Sequence, residues 1–412
     1  MDTRKLRENY PKLLSHMDNA GYTKAYMTRV EREINNILHL AEFGTVSCYD
    51  DVYQKHKQSG VYAPITLSKK RNIIRAIERF DLFGRYPDAT NRHALHLKNS
   101  RYQLCAEYRT IIDSFIESEA ARGNKKESSI HVQSTNASMF LLALQNIGVY
   151  RLADATHDSV FEAFINLDGS TRWHYSCKHN IGAVFKSCAS KYPDCAKILA
   201  LLPAFKRWRK NIQYLTPEEI AKVKEVLLSA SSHLSLRDKA IGTLALYTGL
   251  RGCDIANLTM DALDWENDLI HIKQQKTGVP LTLPLTAIVG NAIHDYIETE
   301  RPQTECEHLF IAQVRPFGCL QGSPTMNSIA RKVMKAAGIR QNPNDRQGFH
   351  IFRHHLATKL LGNGVPRPVV SNIVGHTNPK SLDPYLRADF LHLKNCAISI
   401  EEFPVAQEVF EV

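Results

Sequence analysis

The chain has 412 residues, 43% of them hydrophobic, and a net charge of +10 from 52 Lys and Arg against 42 Asp and Glu. This length predicts two or three domains, and the basic balance, with a pI near 9.1, favours a polyanionic partner such as nucleic acid. No stretch approaches the roughly 20 apolar residues of a membrane span, no basic amphipathic helix stands out for a membrane surface, and Met1-Asp2-Thr3-Arg4-Lys5-Leu6 lacks the apolar core of a secretory leader.

The first hundred residues read as helical. Met27, Val30, Ile34, Ile37, Leu38 and Ala41 recur at helical spacing and predict one apolar stripe. A second helix is predicted from Leu67 to Phe83, with Ile73, Ile74, Ile77 and Phe80 inward. Lys69, Lys70, Arg71, Arg75 and Arg79 decorate it, either as a solvated face or as an accessory DNA contact. The turn-rich run Tyr86-Pro87-Asp88-Ala89-Thr90-Asn91 ends the block. Residues 1–99 are thus expected to form a helical accessory domain.

Residues 100–203 predict a second helical domain, with helices over 105–122, 130–147, 156–166, 171–190 and 194–201, punctuated by Gly148, Asp168-Gly169 and Tyr192-Pro193. The nine cysteines are scattered through the chain with no CxxC pair, which predicts free thiols in a reducing cytoplasm. Cys177, His179, Cys188 and Cys195 form the densest group, but their spacing matches no metal-ligand pattern. A connector over 204–211 follows. Its Lys206, Arg207, Arg209 and Lys210 surround Trp208, a composition suited to neutralising phosphates as the chain passes over a duplex.

The third domain, 212–394, opens on Thr216-Pro217-Glu218-Glu219, a capping box with proline at the first helical position. Helices run to about Leu258. The pattern then changes to short strands over Ala262–Trp265, Leu269–Lys273 and Leu281–Leu285, joined by Glu266-Asn267-Asp268 and by Gln275-Lys276-Thr277-Gly278. Helices are predicted again from Ala287 to the end. The fold class is therefore mainly α with a small antiparallel β-sheet.

Six side chains in this domain form a chemical set. Arg251 follows Thr248-Gly249-Leu250 at the end of an apolar helix, with Asp254 three residues on as its orienting partner. Lys276 sits at a hairpin tip. His350 and Arg353 share a helix face at the start of a helix predicted over Phe349–Leu361, where free N–H groups favour a phosphate. His376 lies on the turn Gly375-His376, and Tyr385 follows nine positions later.

Cutting DNA without water as nucleophile needs a nucleophile, charge neutralisation at phosphorus, a proton acceptor and an acid for the leaving 5′-oxygen. Arg251 and Arg353 suit the non-bridging oxygens, because a guanidinium fork matches two oxygens and stays charged. Lys276 suits the acid, His376 the phosphate or phenol, and Tyr385 the nucleophile. The product is a 3′-phosphotyrosine with a free 5′-hydroxyl. Rejoining then needs no ATP, and no cofactor or metal is called for. No P-loop pattern occurs in the chain.

Taken in order, these residues resemble the tyrosine recombinase (phage integrase) family, whose set is Arg, Lys, His-x-x-Arg, His or Trp, then Tyr. Arg251, Lys276, His350, Arg353, His376 and Tyr385 match it, as do Val374-Gly375-His376 and Lys276-Thr277-Gly278. The resemblance covers about residues 212–390, and the preceding helical block looks like the family's core-binding domain. It implies a C-shaped clamp on duplex DNA at specific recombination sites and a homotetramer exchanging strands through a Holliday junction. It also implies integration or excision of a mobile element, with an excision factor or a DNA-bending protein as further partners.

The tail, 395–412, is expected to dock on its own domain or on a neighbouring protomer. The all-helical N-terminal block differs from the small β-rich arm domains of some relatives. His355 and Leu356 stand where Thr and an aromatic are common in the family. Pro384 removes a donor and restricts Asp383, which predicts a helix end and a looser seat for Tyr385. Two other readings use the same residues: a DNA-relaxing or hairpin-forming enzyme of the same chemistry, and a sequence-specific DNA-binding protein that has lost catalysis.

Overall fold

The computed structural model describes residues 3–87, 100–166, 170–204, 212–320, 322–376 and 378–386. Two compact units divide the chain, one of Met1–Ala20 with Lys24–Arg209, the other of Gly21–Thr23 with Lys210–Val412. Residues 1–99 and 100–203, read separately from the sequence, group in the first unit. Lys206, Arg207, Arg209 and Lys210, and the tail 395–412, lie outside the described residues.

The first unit is helical. Its leading helices are α1 (Thr3–Asn19), α2 (Lys24–Glu42), α3 (Tyr49–Gln58) and α4 (Pro64–Phe83). Val30, Ile34, Ile37 and Leu38 of α2 are buried, as the helical spacing predicted. Helix α4 starts at Pro64, whose missing N–H costs nothing in a first turn, and stops at Gly84 with φ 63°. Of the α4 cations Lys69 is exposed, while Lys70, Arg71, Arg75 and Arg79 are drawn at least partly into the fold. Lys70 Nζ donates to Glu33 Oε2 at 2.7 Å, Arg71 lies over the Tyr53 ring, and Arg79 is buried. Burial of Glu33 opposes its ionisation, but hydrogen bonds from His56 and Lys70 outweigh it and hold the carboxyl below its usual range.

The same unit continues with α5 (Ser100–Gln103), α6 (Ala106–Arg122), α7 (Glu127–Asn146), α8 (His157–Phe164), α9 (Tyr175–Cys188) and α10 (Asp194–Leu201). Tyr108, Phe115, Phe140, Phe164 and Phe185 fill its core, with Cys188 and Cys195 as small apolar members. Thr156 caps α8 by accepting from Ser159 N.

The second unit begins with α11 (Pro217–Leu228), whose capping box forms as expected: Thr216 Oγ1 accepts from Glu219 N at 3.2 Å and Glu219 Oε2 accepts from Thr216 N at 2.9 Å. Helix α12 (Leu236–Thr248) is buried on nearly every side and ends at Gly249 with φ 62°. It packs against α14 (Ala287–Thr299) and α16 (His350–Gly362). Between them come α13 (Gly252–Ala256) and a three-stranded antiparallel sheet, β1 (Leu263–Asp264), β2 (Leu269–Lys273) and β3 (Pro280–Pro284), in that spatial order.

The expectation of helices from Ala287 onward fails over 300–320. That stretch is irregular, held by isolated bridges Thr259↔His308 and Ile311↔Cys319 and carrying a cis Arg315–Pro316 bond. Pro302 and Pro316 cannot donate in a helix interior, which accounts for the break. Helix α15 (Gly322–Ala336), α16, α17 (Arg367–Ile373), a 3-10 turn Pro379–Leu382 and α18 (Asp383–Leu386) complete the described chain.

Candidate active site

Arg251 occupies the N-cap position of α13, two residues after the left-handed Gly249 that turns the chain out of α12. Its residue is only 9% exposed. Nη1 donates to Gln274 Oε1 at 2.7 Å and Nη2 to the Gly375 carbonyl at 3.3 Å. Asp254 Oδ2 lies 3.8 Å from Arg251 Nη1, while Asp254 Oδ1 accepts from Gln275 N at 2.8 Å. The aspartate therefore holds the hairpin base as well as facing the arginine.

Arg353, on the first turn of α16, is 3% exposed. Nη1 donates to the Gly249 carbonyl at 3.2 Å and Nη2 to the Val374 carbonyl. Both arginines thus reach the same Val374-Gly375 turn from different elements. Two guanidiniums this close and this buried are costly. Burial, and next the Arg251 charge, push Arg353 down to about 10.

Two histidines, His354 and His376, face the phenol, and His350 stands beside His354. His350 opens α16, and burial followed by the cations Arg353, Arg251, Lys276 and Arg346 lowers its pKa. His354 lies one turn on, its ring centroid 6.1 Å from that of His350. Its Nδ1 pairs with the Tyr385 hydroxyl at 2.9 Å. His376 follows Gly375, its ring centroid 6.2 Å from that of Tyr385. Its Nδ1 is buried with no hydrogen-bond partner among the described residues. Burial first, then nearby positive groups, pushes His354 and His376 each down to about 4, so both rings are neutral near pH 7.

Tyr385 is 4% exposed and packs with Ala357, Leu361, Val370, Val374 and Leu382. Burial raises its pKa, and the Arg353 and Arg251 charges work against that rise. The looser seat expected from Pro384 is corrected here. Pro384 is the second residue of α18, a first-turn position where no N–H is needed, and Tyr385 follows it inside the fold. Lys276 is exposed on the β2–β3 turn, closed by Gln274 N donating to the Val279 carbonyl and Gly278 N to the Gln274 carbonyl. The structure brings Arg251, Asp254, Arg353, His376 and Tyr385 together around one turn, with His350 and Lys276 close enough to act on their charges.

Two residues were not assigned from the sequence. His354 is four positions after His350, so helical spacing already put both on one face. Gln274 continues the inward alternation of Ile270 and Ile272 in β2, a place where an apolar residue is expected. A buried glutamine there signals waiting partners. His355, by contrast, turns away to place Nδ1 3.2 Å from the Leu215 carbonyl, outside the group around Tyr385.

Paired buried guanidiniums beside a buried phenol, on a helical scaffold with one small sheet, define a class: DNA strand-transferring enzymes of the tyrosine type. Residues 213–392 match the Phage integrase family. The protein y4gC of Sinorhizobium fredii, an integrase/recombinase by name, is 34% identical over 182 residues, 43% of this chain and 92% of that protein. Tyrosine recombinase XerA of Thermococcus onnurineus is 28% identical over 180 residues, 44% of this chain and 60% of that one. The chain belongs to the phage integrase family.

Among solved structures, XerH recombinase bound to its difH substrate superposes with a TM-score of 0.52 at 16% identity, covering 72% of this chain and 95% of that one. A lambda integrase dimer bound to a core site gives 0.50 at 15%, covering 79% and 87%. These likenesses concern the fold.

Proposed function

We propose that this chain cuts and rejoins duplex DNA at specific sites through a 3′-phosphotyrosine, as the recombinase of a mobile element. The observation that carries the reading is the convergence of Arg251 and Arg353 on the Val374-Gly375 turn beside Tyr385. In this mechanism the two guanidiniums take the non-bridging oxygens of the scissile phosphate. The Tyr385 oxygen attacks phosphorus, the P–O5′ bond breaks, and Lys276 gives the 5′-oxygen its proton. The phenol proton passes to a neutral imidazole of the group. The buried Nδ1 of His376 is available for a phosphate oxygen or the phenol.

The activity is read as a homotetramer on two sites exchanging strands through a Holliday junction. This rests on family membership; the names of the solved relatives add that XerH is bound to its difH substrate and a lambda integrase dimer to a core site. An excision factor or bending protein completes this reading. Lys206, Arg207, Arg209 and Lys210 are proposed as phosphate contacts, and residues 1–99 as an accessory DNA-binding region. Among the described residues no helix is long and apolar enough to cross a membrane, and the site of action is read as the cytoplasm.

A nicked duplex that releases its short product traps the covalent adduct. Wild type is expected to form it, and Tyr385→Phe to bind DNA without forming it. An adduct persisting in the phenylalanine variant rejects Tyr385 as nucleophile.

A further inference from the structure

Lys276 is exposed, yet its proposed task requires the ammonium to meet one oxygen of one phosphate. A hairpin tip left to itself is mobile, so something must register it against the arginines. We propose that Gln274 and Thr277 form a tether that positions Lys276, with Gln274 as the joint between hairpin and phosphate site. This rests on the reading of Lys276 as general acid.

The geometry is specific. Gln274 is 1% exposed. Its Oε1 accepts from Arg251 Nη1 at 2.7 Å and from Thr277 Oγ1 at 2.8 Å. Its Nε2 is directed to the Val374 carbonyl at 3.5 Å. One amide therefore touches the arginine, the turn that carries His376, and the residue next to Lys276. The neighbouring residue adds a second anchor, since Gln275 N donates to Asp254 Oδ1.

The close approach of the turn is part of the device. Gly375 has φ +60°, and a Cβ built there would overlap the Gln274 side-chain amide. Glycine at 375 therefore leaves the space the amide occupies. A purely structural glutamine has no need to bind the hydroxyl beside the lysine. The Thr277 hydroxyl contributes nothing to the core, because Thr277 is only half-buried on the turn. Its bond to Oε1 fixes the loop one residue from the ammonium. Gln274 and Thr277 are positioning residues: neither is assigned contact with the DNA.

Leaving-group chemistry tests this. A 5′-bridging sulfur departs without protonation, so a defect confined to protonation vanishes with the thio substrate. Full-length protein is mixed with nicked duplexes carrying either a 5′-oxygen or a 5′-sulfur at the scissile bond, and adduct formation is followed in a single turnover. Thr277→Val is expected to slow the oxygen substrate by at least about 10-fold, part of the roughly 100- to 10,000-fold that a general acid supplies. It should slow the sulfur substrate by less than about threefold, and Thr277→Ser should restore the oxygen rate, because the hydroxyl alone carries the tether. Gln274→Ala should show the same leaving-group preference above a larger common loss, since it also frees Arg251.

Equal slowing of both substrates by Thr277→Val, or a Ser variant no better than Val, overturns the tether. Should the valine variant unfold, Thr277→Ala is read against Thr277→Ser by the same criteria. Lys276→Ala is run beside them. If it slows both substrates alike, the general-acid assignment fails and the tether with it. If it is rescued by sulfur while Thr277→Val stays at the wild-type rate, only the tether fails.

Discussion

The site concentrates positive charge where water is scarce, and its histidines respond by staying neutral. His354 and His376 titrate near 4 in the folded chain against an ordinary 6.5. Folded rings bind fewer protons than unfolded ones between those values. Stability is therefore full above about pH 6.5 and falls as pH drops towards 4. Denaturant unfolding followed from pH 7.5 down to about 4.5 should show this loss, with His376→Asn flattening it. An unchanged slope in that variant would remove His376 from the account. An arriving phosphate offsets the arginine charges, so the histidines should titrate higher in the DNA complex, as imidazole NMR shifts would report. Gly375→Ala is the second test at this scale. A left-handed alanine costs about 1 to 2 kcal/mol in backbone strain, and its Cβ also displaces the Gln274 amide. Adduct formation is expected to fall more than thermal stability does.

At the scale of elements, each proposed catalytic group sits at an end or a tip. Arg251 is an N-cap, His350 and Arg353 lie in a first turn, His376 follows a left-handed glycine, and Lys276 crowns a hairpin. Ends have unpaired backbone groups and positions set by packing, so a phosphate can be met by several elements at once. The capping box of α11 illustrates the separation of fold from chemistry. Glu219, besides capping, pairs with Arg340 Nε at 2.9 Å. Thr216→Ala should destabilise the protein by about 1 kcal/mol while leaving the adduct rate of folded protein unchanged. A rate loss larger than the loss of folded protein would tie α11 to the site.

For the whole molecule, the +10 charge bears on DNA affinity. Binding should weaken linearly in log–log salt plots, with a slope near −0.9 per phosphate neutralised. Replacing Lys206, Arg207, Arg209 and Lys210 by Gln should reduce that slope by about 0.9 for each phosphate no longer neutralised. An unchanged slope means that these four cations do not meet phosphates.

Much of this protein was legible before folding was considered. Helices α2 and α4 follow from apolar spacing, α6, α7 and α10 from the turn residues that punctuate the run over 100–203, α11 from its capping box, and the β2–β3 hairpin from turn residues. The order Arg251, Lys276, His350, Arg353, His376, Tyr385 is written along the chain. Such features act over a few residues, so they survive in one dimension. What only the tertiary structure decided depends on groups far apart in sequence. Arg251 meets Gly375, Arg353 meets Gly249, and Gln274 meets Val374. Burial of Tyr385 and its pairing with His354 likewise arise from packing between α16 and α18. Desolvation, and with it every shifted pKa in the site, belongs to the assembled surroundings and not to any local run of residues.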